Sequence, residues 1–400
     1  MHAYHFSTTA HAADSGEVFE VTKRLAERLA ATAVERDRVG GTPKVERDLL
    51  RDSGLLALSV PRELGGLDAP WPVTLRVVRE LARVDGSVAH VFGFHHLLLT
   101  TVRLFGSTAQ FRAWAAQSVR DRWFWGNALN PLDKRTTLTW KDDTGIIRGD
   151  KSFCSGALDS DRLVVSALDA QTQKLLIGVV PTNRQGITLF DDWDNMGQRQ
   201  TDSGSARFED VRIERGELLI DPGPLSTPFS TLRPLLAQLV LCNVYLGLAE
   251  GALQSAREYT RHQTRAWISS GVEHATDDPY ILRSYGELFT ELAGASALTD
   301  AAAQSFGDVF ARGEALSEEE RGQAAVAVAL AKVQTTRAGL DTSSRMFEVM
   351  GARASQGAAR LDRYWRNLRT HTLHDPVDYK LRDLGAYALL DKPPRPSFYS

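Results

Sequence analysis

Arg363-Tyr-Trp-Arg-Asn-Leu-Arg-Thr-His371-Thr-Leu-His374-Asp375-Pro376-Val377 is the stretch on which the reading of this chain turns. It gathers three arginines, two histidines and two large aromatics into a short span that ends at Asp-Pro-Val. Solvated surface rarely concentrates Arg, His and Trp in this way. Two readings fit it: a bound anion beside a proton-handling imidazole, or an Arg-rich helix end with a cap. Composition alone does not choose between them. His371, His374 and Asp375 are poorly spaced for a catalytic zinc, which wants three protein ligands, so no metal is expected.

Outward from this stretch the 400 residues divide into three zones. Residues 1–118 read as an N-terminal helical domain. Apolar positions recur at helical spacing over Val18–Arg38, Pro72–Val84 and the very apolar Val88–Phe105. Residues 119–225 carry short strand-like runs: Thr137–Trp140, Gly145–Arg148, Arg162–Ser166 and Leu175–Val180. Gly, Asn and Asp punctuate them, which reads as a β domain of antiparallel strands. Residues 226–400 are helical again, a bundle with an extended Pro-rich tail at Lys392-Pro-Pro-Arg-Pro396. One helix is expected to start at the capping box Ser317–Glu320 and to stop at Gly351.

Bulk properties remove several function classes. Net charge is −3 and no segment is strongly basic, so nucleic acid is not an expected partner. Two distant cysteines, Cys154 and Cys242, suit a reducing compartment rather than a disulfide scaffold. No apolar run approaches the ~20 residues of a bilayer span. Met1–Phe6 lacks the layout of a signal peptide. A cytoplasmic protein with no membrane partner is the expectation. There is no Gly-x-Gly-x-x-Gly after a strand, no Walker loop, no His-Glu-x-x-His and no Gly-x-Ser-x-Gly, so any nucleotide-type cofactor needs a non-Rossmann arrangement.

Four groups of residues remain as candidates. Arg257, Arg261 and Arg265 recur every four residues on one expected helix face, and Arg353 follows a helix end; guanidinium forks suit phosphate. His90, His95 and His96 lie on an apolar segment with Phe94, where an imidazole is either a hydrogen-bonded core residue or part of a site. Trp125-Gly-Asn127-Ala and Lys151-Ser-Phe153-Cys-Ser155-Gly156 place small residues beside polar ones at strand edges, where backbone can approach a flat ligand. Met196–Ser205 is too long and polar for a hairpin turn, and reads as a binding loop or a plain surface loop.

These pieces together resemble the acyl-CoA dehydrogenase superfamily over nearly the whole chain. The resemblance rests on Ser53–Gly66, Gly149–Gly156, Met196–Ser203 with Phe208–Val211, and the arginine helix. Within it the chain is most similar to the flavin-dependent monooxygenase branch typified by dibenzothiophene monooxygenase. Tyr364–Val377 is the most specific match, beside Ala33–Arg38, Asn243–Gly247 and Arg257–Arg261. The implied fold is α+β: an N-terminal helical domain, a middle β-barrel-like antiparallel domain and a C-terminal four-helix bundle.

Further implications follow from the resemblance alone. Reduced flavin, FMN or FAD, would bind between the β domain and the bundle, with Arg265 and Arg353 on its phosphate. Asn127, Phe153 and Ser155 would lie at the isoalloxazine. His90 and His374 would flank the oxygen site. Phe94, His95, Trp193 and Asn243 would line the substrate pocket. Leu373-His-Asp-Pro376 stands where dehydrogenases keep a catalytic glutamate, and Phe94 stands where the monooxygenase branch has a tyrosine. The implied activity uses O2 and a flavin C4a-hydroperoxide to oxygenate an aromatic heterocycle, by indole-type hydroxylation or thiophene sulfoxidation. The partners would be a separate NAD(P)H-dependent flavin reductase, a small aromatic substrate and three further copies in a homotetramer. An acyl-CoA dehydrogenase with a different base, an amine N-hydroxylase and a flavin-free helical protein are the alternatives.

Overall fold

A computed structural model describes residues 12–400; the Met1–Phe6 stretch that bears on a leader lies outside them. Five helices come first: α1 (Ala12–Val39), α2 (Lys44–Asp52), α3 (Trp71–Ala82), α4 (Gly86–Phe105) and α5 (Thr108–Arg120). Asp85 caps α4 by accepting from Val88 N at 2.9 Å, and Ser107 with Gln110 forms a capping box on α5. In α4 every residue except Arg103 is buried, which explains why its sequence is apolar nearly all round.

The expectation that no run reaches membrane-spanning length needs correcting. By length and hydropathy two helices reach it, α4 and α6 (Leu232–His262). Their most apolar windows are 94% and 89% buried within the protein, so their apolar character serves the core.

Seven strands form the middle layer: β1 (Trp125–Ala128), β2 (Thr137–Lys141), β3 (Thr144–Lys151), β4 (Arg162–Asp169), β5 (Leu175–Pro181), β6 (Ile187–Leu189) and β7 (Ala206–Glu214). The order is β1-β4-β2-β3-β7-β6, with β5 added on β4. Four pairings are antiparallel, as the sequence suggested, but β4 lies parallel to both β1 and β2. Ala206, Phe208, Val211 and Ile213 of β7 point into the core of this layer. The alternation slips one residue after Phe208, where the register against β3 shifts between Ile147 and Gly149. Gly149 has φ 117°, and a Cβ there would collide with the Arg135 carbonyl, so the bulge requires glycine.

The C-terminal layer is α6, α7 (Pro279–Ala311), α8 (Glu318–Met350), α9 (Arg363–Thr372) and α10 (Val377–Leu390). α8 begins at the Ser317/Glu320 capping box and stops at Gly351, φ 81°, as its sequence predicts. Gly247 and Gly251 let α6 press directly on α3, since a Cβ at either would strike the carbonyls of Arg79 and Arg83. The tail after α10 is extended but returns to the body: Arg321 donates to Pro394 O at 3.3 Å and to Ser400 O at 2.7 Å.

Candidate active site

Four segments meet where α4 passes the sheet. The turn Phe153–Gly156 follows β3, and a methyl placed on Gly156 would lie 3.7 Å from Val91 Cγ1 of α4. The loop 196–205 then wedges between this turn and α9. Cys154 N donates to Gly204 O at 2.9 Å, Gly156 N to Thr201 O at 2.8 Å, and Gln198 N to Asn367 Oδ1 at 2.7 Å. Gln198, Gln200, Thr201, Asp202 and Ser203 are buried, so this polar loop is interior; the plain surface-loop reading is overturned. A buried Arg47 of α2 pins both pieces, donating to Asp202 Oδ2 at 2.7 Å and to Gly156 O at 2.8 Å.

Inside this frame His90 of α4 and His371 of α9 pack edge to face, ring centroids 4.5 Å apart. The Phe94 ring lies 4.1 Å from His90 on the same helix. His90 is only 4% exposed, yet neither ring nitrogen has a partner; His371 Nδ1 is unpartnered too. Burial, with a smaller contribution from the His374 charge, pushes His90 down to about 3, and burial and His90 hold His371 well below the usual imidazole range. Both rings are therefore neutral at pH 7, each able to give or take one hydrogen bond. Orphaned polar groups this deep are rare in folded proteins and mark a place for a polar ligand.

His374 sits at the mouth, half exposed, its Nδ1 3.3 Å from Asp375 Oδ1, with the Tyr399 ring 5.9 Å away. Asp375 is buried and shared: Lys332 Nζ is 3.1 Å from Oδ1, Gln238 Nε2 donates at 3.2 Å to Oδ2, and Lys380 Nζ is 3.9 Å away. Burial opposes its ionisation, but the His374 hydrogen bond and the Lys332 charge hold it well below the usual carboxylate range.

On the sheet side Asn127 of β1 donates to Phe153 O at 3.3 Å and accepts from Leu129 N at 3.2 Å. Ser155 Oγ pairs with Ser203 Oγ at 2.7 Å. Phe153 is held at φ 60°, a conformation an L-residue adopts at some cost, with its ring 58% exposed and 5.9 Å from Trp193. Trp193 is fixed by its Nε1 donating to Gln198 O at 2.8 Å. The strained aromatic, the small residues and the amide and hydroxyl beside them suit a flat ring system with polar edges, which a flavin has.

Three residues stand elsewhere than the sequence reading put them. His95 is a strut: Nε2 donates to Leu56 O at 2.9 Å and Nδ1 accepts from Trp125 N at 3.3 Å, tying α4 to β1. Asn243 faces α3 instead, accepting from Arg79 Nε at 3.1 Å and donating to Leu239 O at 2.8 Å. Arg265 is not on the arginine face of α6, because that helix ends at His262; it lies in an extended bridge with His274. Arg353 is its neighbour through Gln263, whose carbonyl accepts from Arg353 Nη2 at 3.3 Å. Both guanidinium-bearing residues are exposed. They stand at the far end of α6, because Tyr245, whose hydroxyl reaches His371 O, and His262 are separated by roughly 26 Å along the helix axis.

Two of the three arginines of the opening stretch, Arg363 and Arg366, are structural. Arg366 bonds Asp37 and the Met196 carbonyl, and Arg363 covers the Tyr364 ring. The sequence reading passed over three residues that the structure brings to the site: His371, Lys332 and Tyr245. His371 was visible as one of two histidines three apart, and Tyr245 lies within the Asn243–Gly247 match; nothing in sequence pointed to Lys332.

Comparison with known proteins identifies the family. The acyl-CoA dehydrogenase N-terminal domain model matches residues 18–121, and the C-terminal domain model matches 239–379. The probable FMNH2-dependent monooxygenase SfnC of Pseudomonas putida is 55% identical over 381 residues, 95% of this chain and 96% of its own length. Methanesulfinate monooxygenase MsuC from Pseudomonas fluorescens superposes with a TM-score of 0.95 at 55% identity, covering 98% of this chain and 100% of its own. TdsC from Paenibacillus sp. A11-2, solved with FMN and indole, superposes with a TM-score of 0.91 at 41% identity, over 96% and 99% of the two chains. With both domain models matched and relatives this similar along their full length, the chain belongs to the acyl-CoA dehydrogenase family and is one of its flavin-dependent monooxygenases.

Proposed function

We propose that this chain is the oxygenase of a two-component system, taking reduced FMN from a separate NAD(P)H-dependent reductase and adding one oxygen atom from O2 to an organosulfur or aromatic heterocyclic substrate. The observation that carries this reading is the buried His90–His371 pair with three orphaned ring nitrogens. Reduced flavin, when bound, supplies the electrons that activate O2. The chain's own residues do the rest. Asn127 and Ser155 would offer hydrogen bonds to the flavin ring, and Phe153 and Trp193 would pack beside it. His90 and His371 offer neutral imidazole nitrogens to oxygen atoms in a place that excludes water. His374, linked to solvent and to Asp375, is placed to move a proton.

Dehydrogenation of a thioester is disfavoured by the same geometry. The carboxylate in the α9–α10 turn, Asp375, is engaged with Lys332, Gln238 and His374 and is not free to remove an α-proton. FMN is favoured over FAD by the names of SfnC and of the TdsC complex.

Thiophene sulfoxidation or indole-type hydroxylation is supported by the aromatic side chains present, Phe94 against His90 and Trp193 against Phe153. A second substrate class, a small alkanesulfinate, is favoured by the Phe94 ring packed 4.1 Å from His90, which narrows the space there, and by the greater identity to MsuC than to TdsC. The test is one set of assays with reduced FMN and O2 on dibenzothiophene, indole and methanesulfinate. An oxygenated product from one of them is expected; flavin oxidation yielding only hydrogen peroxide with all three overturns the substrate reading.

The distance along α6 bears on assembly. A flavin whose ring lies at His90 cannot reach Arg265 and Arg353 of the same chain across roughly 26 Å. These two arginines therefore serve the phosphate of a neighbouring copy, as a symmetric homotetramer allows. Trp267 and Ile268, 72% and 95% exposed beside Arg265, are apolar surface that such a neighbour would cover. The cytoplasm is the compartment that suits two buried, unpaired cysteines.

A further inference from the structure

Lys332 lies in the middle of α8 and is 0% exposed. A lone ammonium at such depth is costly, so its partners deserve to be followed. There are two. Nζ donates to Tyr245 Oη at 3.2 Å, and that hydroxyl donates in turn to His371 O at 2.9 Å. Nζ also lies 3.1 Å from Asp375 Oδ1, the oxygen that faces His374 Nδ1 at 3.3 Å. The Tyr245 ring turns its face to the same ammonium, 4.7 Å from centroid to nitrogen. Two short arms thus run from one cation on α8 to the two histidines at the end of α9. One arm fixes the main chain of His371; the other fixes the side chain of His374 through a carboxylate.

We propose that Lys332 is the positioning residue of the oxygenation site, a buried ammonium that sets the places of His371 and His374 together through Tyr245 and Asp375. The inference rests on the histidine site proposed above. Because both arms share one nitrogen, a change at Lys332 moves both imidazoles, whereas a change in one arm moves one. Burial by itself would lower the ammonium's pKa; Tyr245 and Asp375 hold it above the usual lysine range, so the cation persists through the working pH range. Asp375 in turn stays ionised, and its Oδ1 accepts from His374 Nδ1–H, leaving Nε2 as that ring's other hydrogen-bonding atom.

Lys332→Met, Tyr245→Phe and the double variant Lys332→Met/Asp375→Asn test this. Tyr245→Phe removes one arm without changing charge; it takes one partner from the buried ammonium and one from the His371 carbonyl, so a modestly lower melting temperature is expected, with the FMN dissociation constant unchanged. It should lower the fraction of reduced flavin converted to product at least threefold, with KM for the substrate unchanged. Lys332→Met strands the Asp375 charge and is expected to melt earlier; the double variant restores the melting temperature but not the product yield. Crystal structures of Tyr245→Phe and of the double variant should show displaced His371, and in the latter also displaced His374. Wild-type product yield in the double variant, or unmoved histidines in either structure, overturns the proposal. The structures decide the matter even where none of the three substrates turns over, so a wrong substrate and a wrong role for Lys332 remain distinguishable.

Discussion

Replacing Arg47 by methionine tests how the turn Phe153–Gly156, proposed above to lie at the flavin, is held. Arg47 is fully buried, and its two amino groups reach Asp202 Oδ2 at 2.7 Å, Gly156 O at 2.8 Å and Asp159 O at 2.9 Å. Methionine keeps the packing against Phe124, whose ring lies 4.1 Å from the guanidinium carbon, and removes the charge. Asp202 is then left buried with Thr42 as its remaining hydrogen-bond donor, at 2.6 Å. Breaking a buried pair this way costs about 3–5 kcal/mol. The Gly156 carbonyl loses its side-chain donor and adds about 1 kcal/mol, while Asp159 O keeps Arg51 at 2.8 Å. At about 2 °C per kcal/mol the melting temperature should fall roughly 8–12 °C. Burial already pushes Asp202 up and Arg47 down from their ordinary values, so each charge depends on the other. A carboxyl with a raised folded pKa contributes stability below its unfolded value, near pH 4, and loses it as pH rises through the folded value. Without Arg47 that loss grows, so the gap between wild type and variant should widen from pH 5 to pH 8. Arg47→Met/Asp202→Asn should regain most of the lost stability while FMN binding stays weak, because Gly156 is still untied. Thermal melts across that pH range and FMN titration measure all of this. A drop under 2 °C at pH 8, or a gap that does not change with pH, would refute the account.

Three further outcomes are expected. His90→Phe removes two orphaned nitrogens from the core, so it should melt no earlier than wild type, by up to about 2 kcal/mol in its favour, yet lose most product formation in the oxygenation assay. Arg353→Ala should raise the FMN dissociation constant roughly 10- to 100-fold, the loss of one or two charge-assisted hydrogen bonds, with the melting temperature of the flavin-free protein unchanged. If that arginine serves a neighbour, refolding inactive Arg353→Ala together with inactive His374→Ala should restore about one quarter of wild-type sites, whereas sites built within one chain restore none.

The parts of the fold that sequence made legible are those governed by short-range chemistry. The α8 helix begins and ends where Ser317, Glu320 and Gly351 say it should, because a capping box and a C-terminal glycine act within a few residues. β2, β3, β4 and β5 were equally visible from their apolar runs and Gly/Asp punctuation, whereas the three-residue β6 was not. Arg257, Arg261 and Arg265 show where the pattern misleads: the four-residue spacing continues past the helix that it implies. α6 stops at His262, and the hydroxyl of Thr264 is drawn to Met350 O at 3.1 Å on a distant helix. The loop 196–205 misled for the same reason. Nothing local tells that Gln200 will meet Arg36 at 2.8 Å or that Asp202 will meet Arg47, each more than 150 residues away. Polar residues become interior only when the fold supplies their partners.

The histidines of α4 give the clearest separation between scaffold and site. His90 and His95 are five residues apart on one buried helix, the same residue type in the same apolar run. Burial lowers the pKa of both, to about 3 and about 4, so protonation does not tell them apart. Hydrogen bonding does. Both nitrogens of His95 are engaged with the main chain of neighbouring segments, and the ring is a brace between α4 and β1. Neither nitrogen of His90 has a hydrogen-bond partner, and its ring packs on Phe94 and on a second imidazole that is also short of a partner. Two unsatisfied groups of that kind on one ring cost about 1–3 kcal/mol each, a cost that a polar ligand or an ordered water beside them would remove. That criterion selects His90 over His95 without reference to any relative. It also adds His371, which touches His90 and shares its deficit, and through the His371 carbonyl it leads to Tyr245 and Lys332. If the oxygen chemistry proposed for this protein is centred on these unpaired nitrogens, the residues behind them are the ones whose substitution should alter product yield before it alters stability.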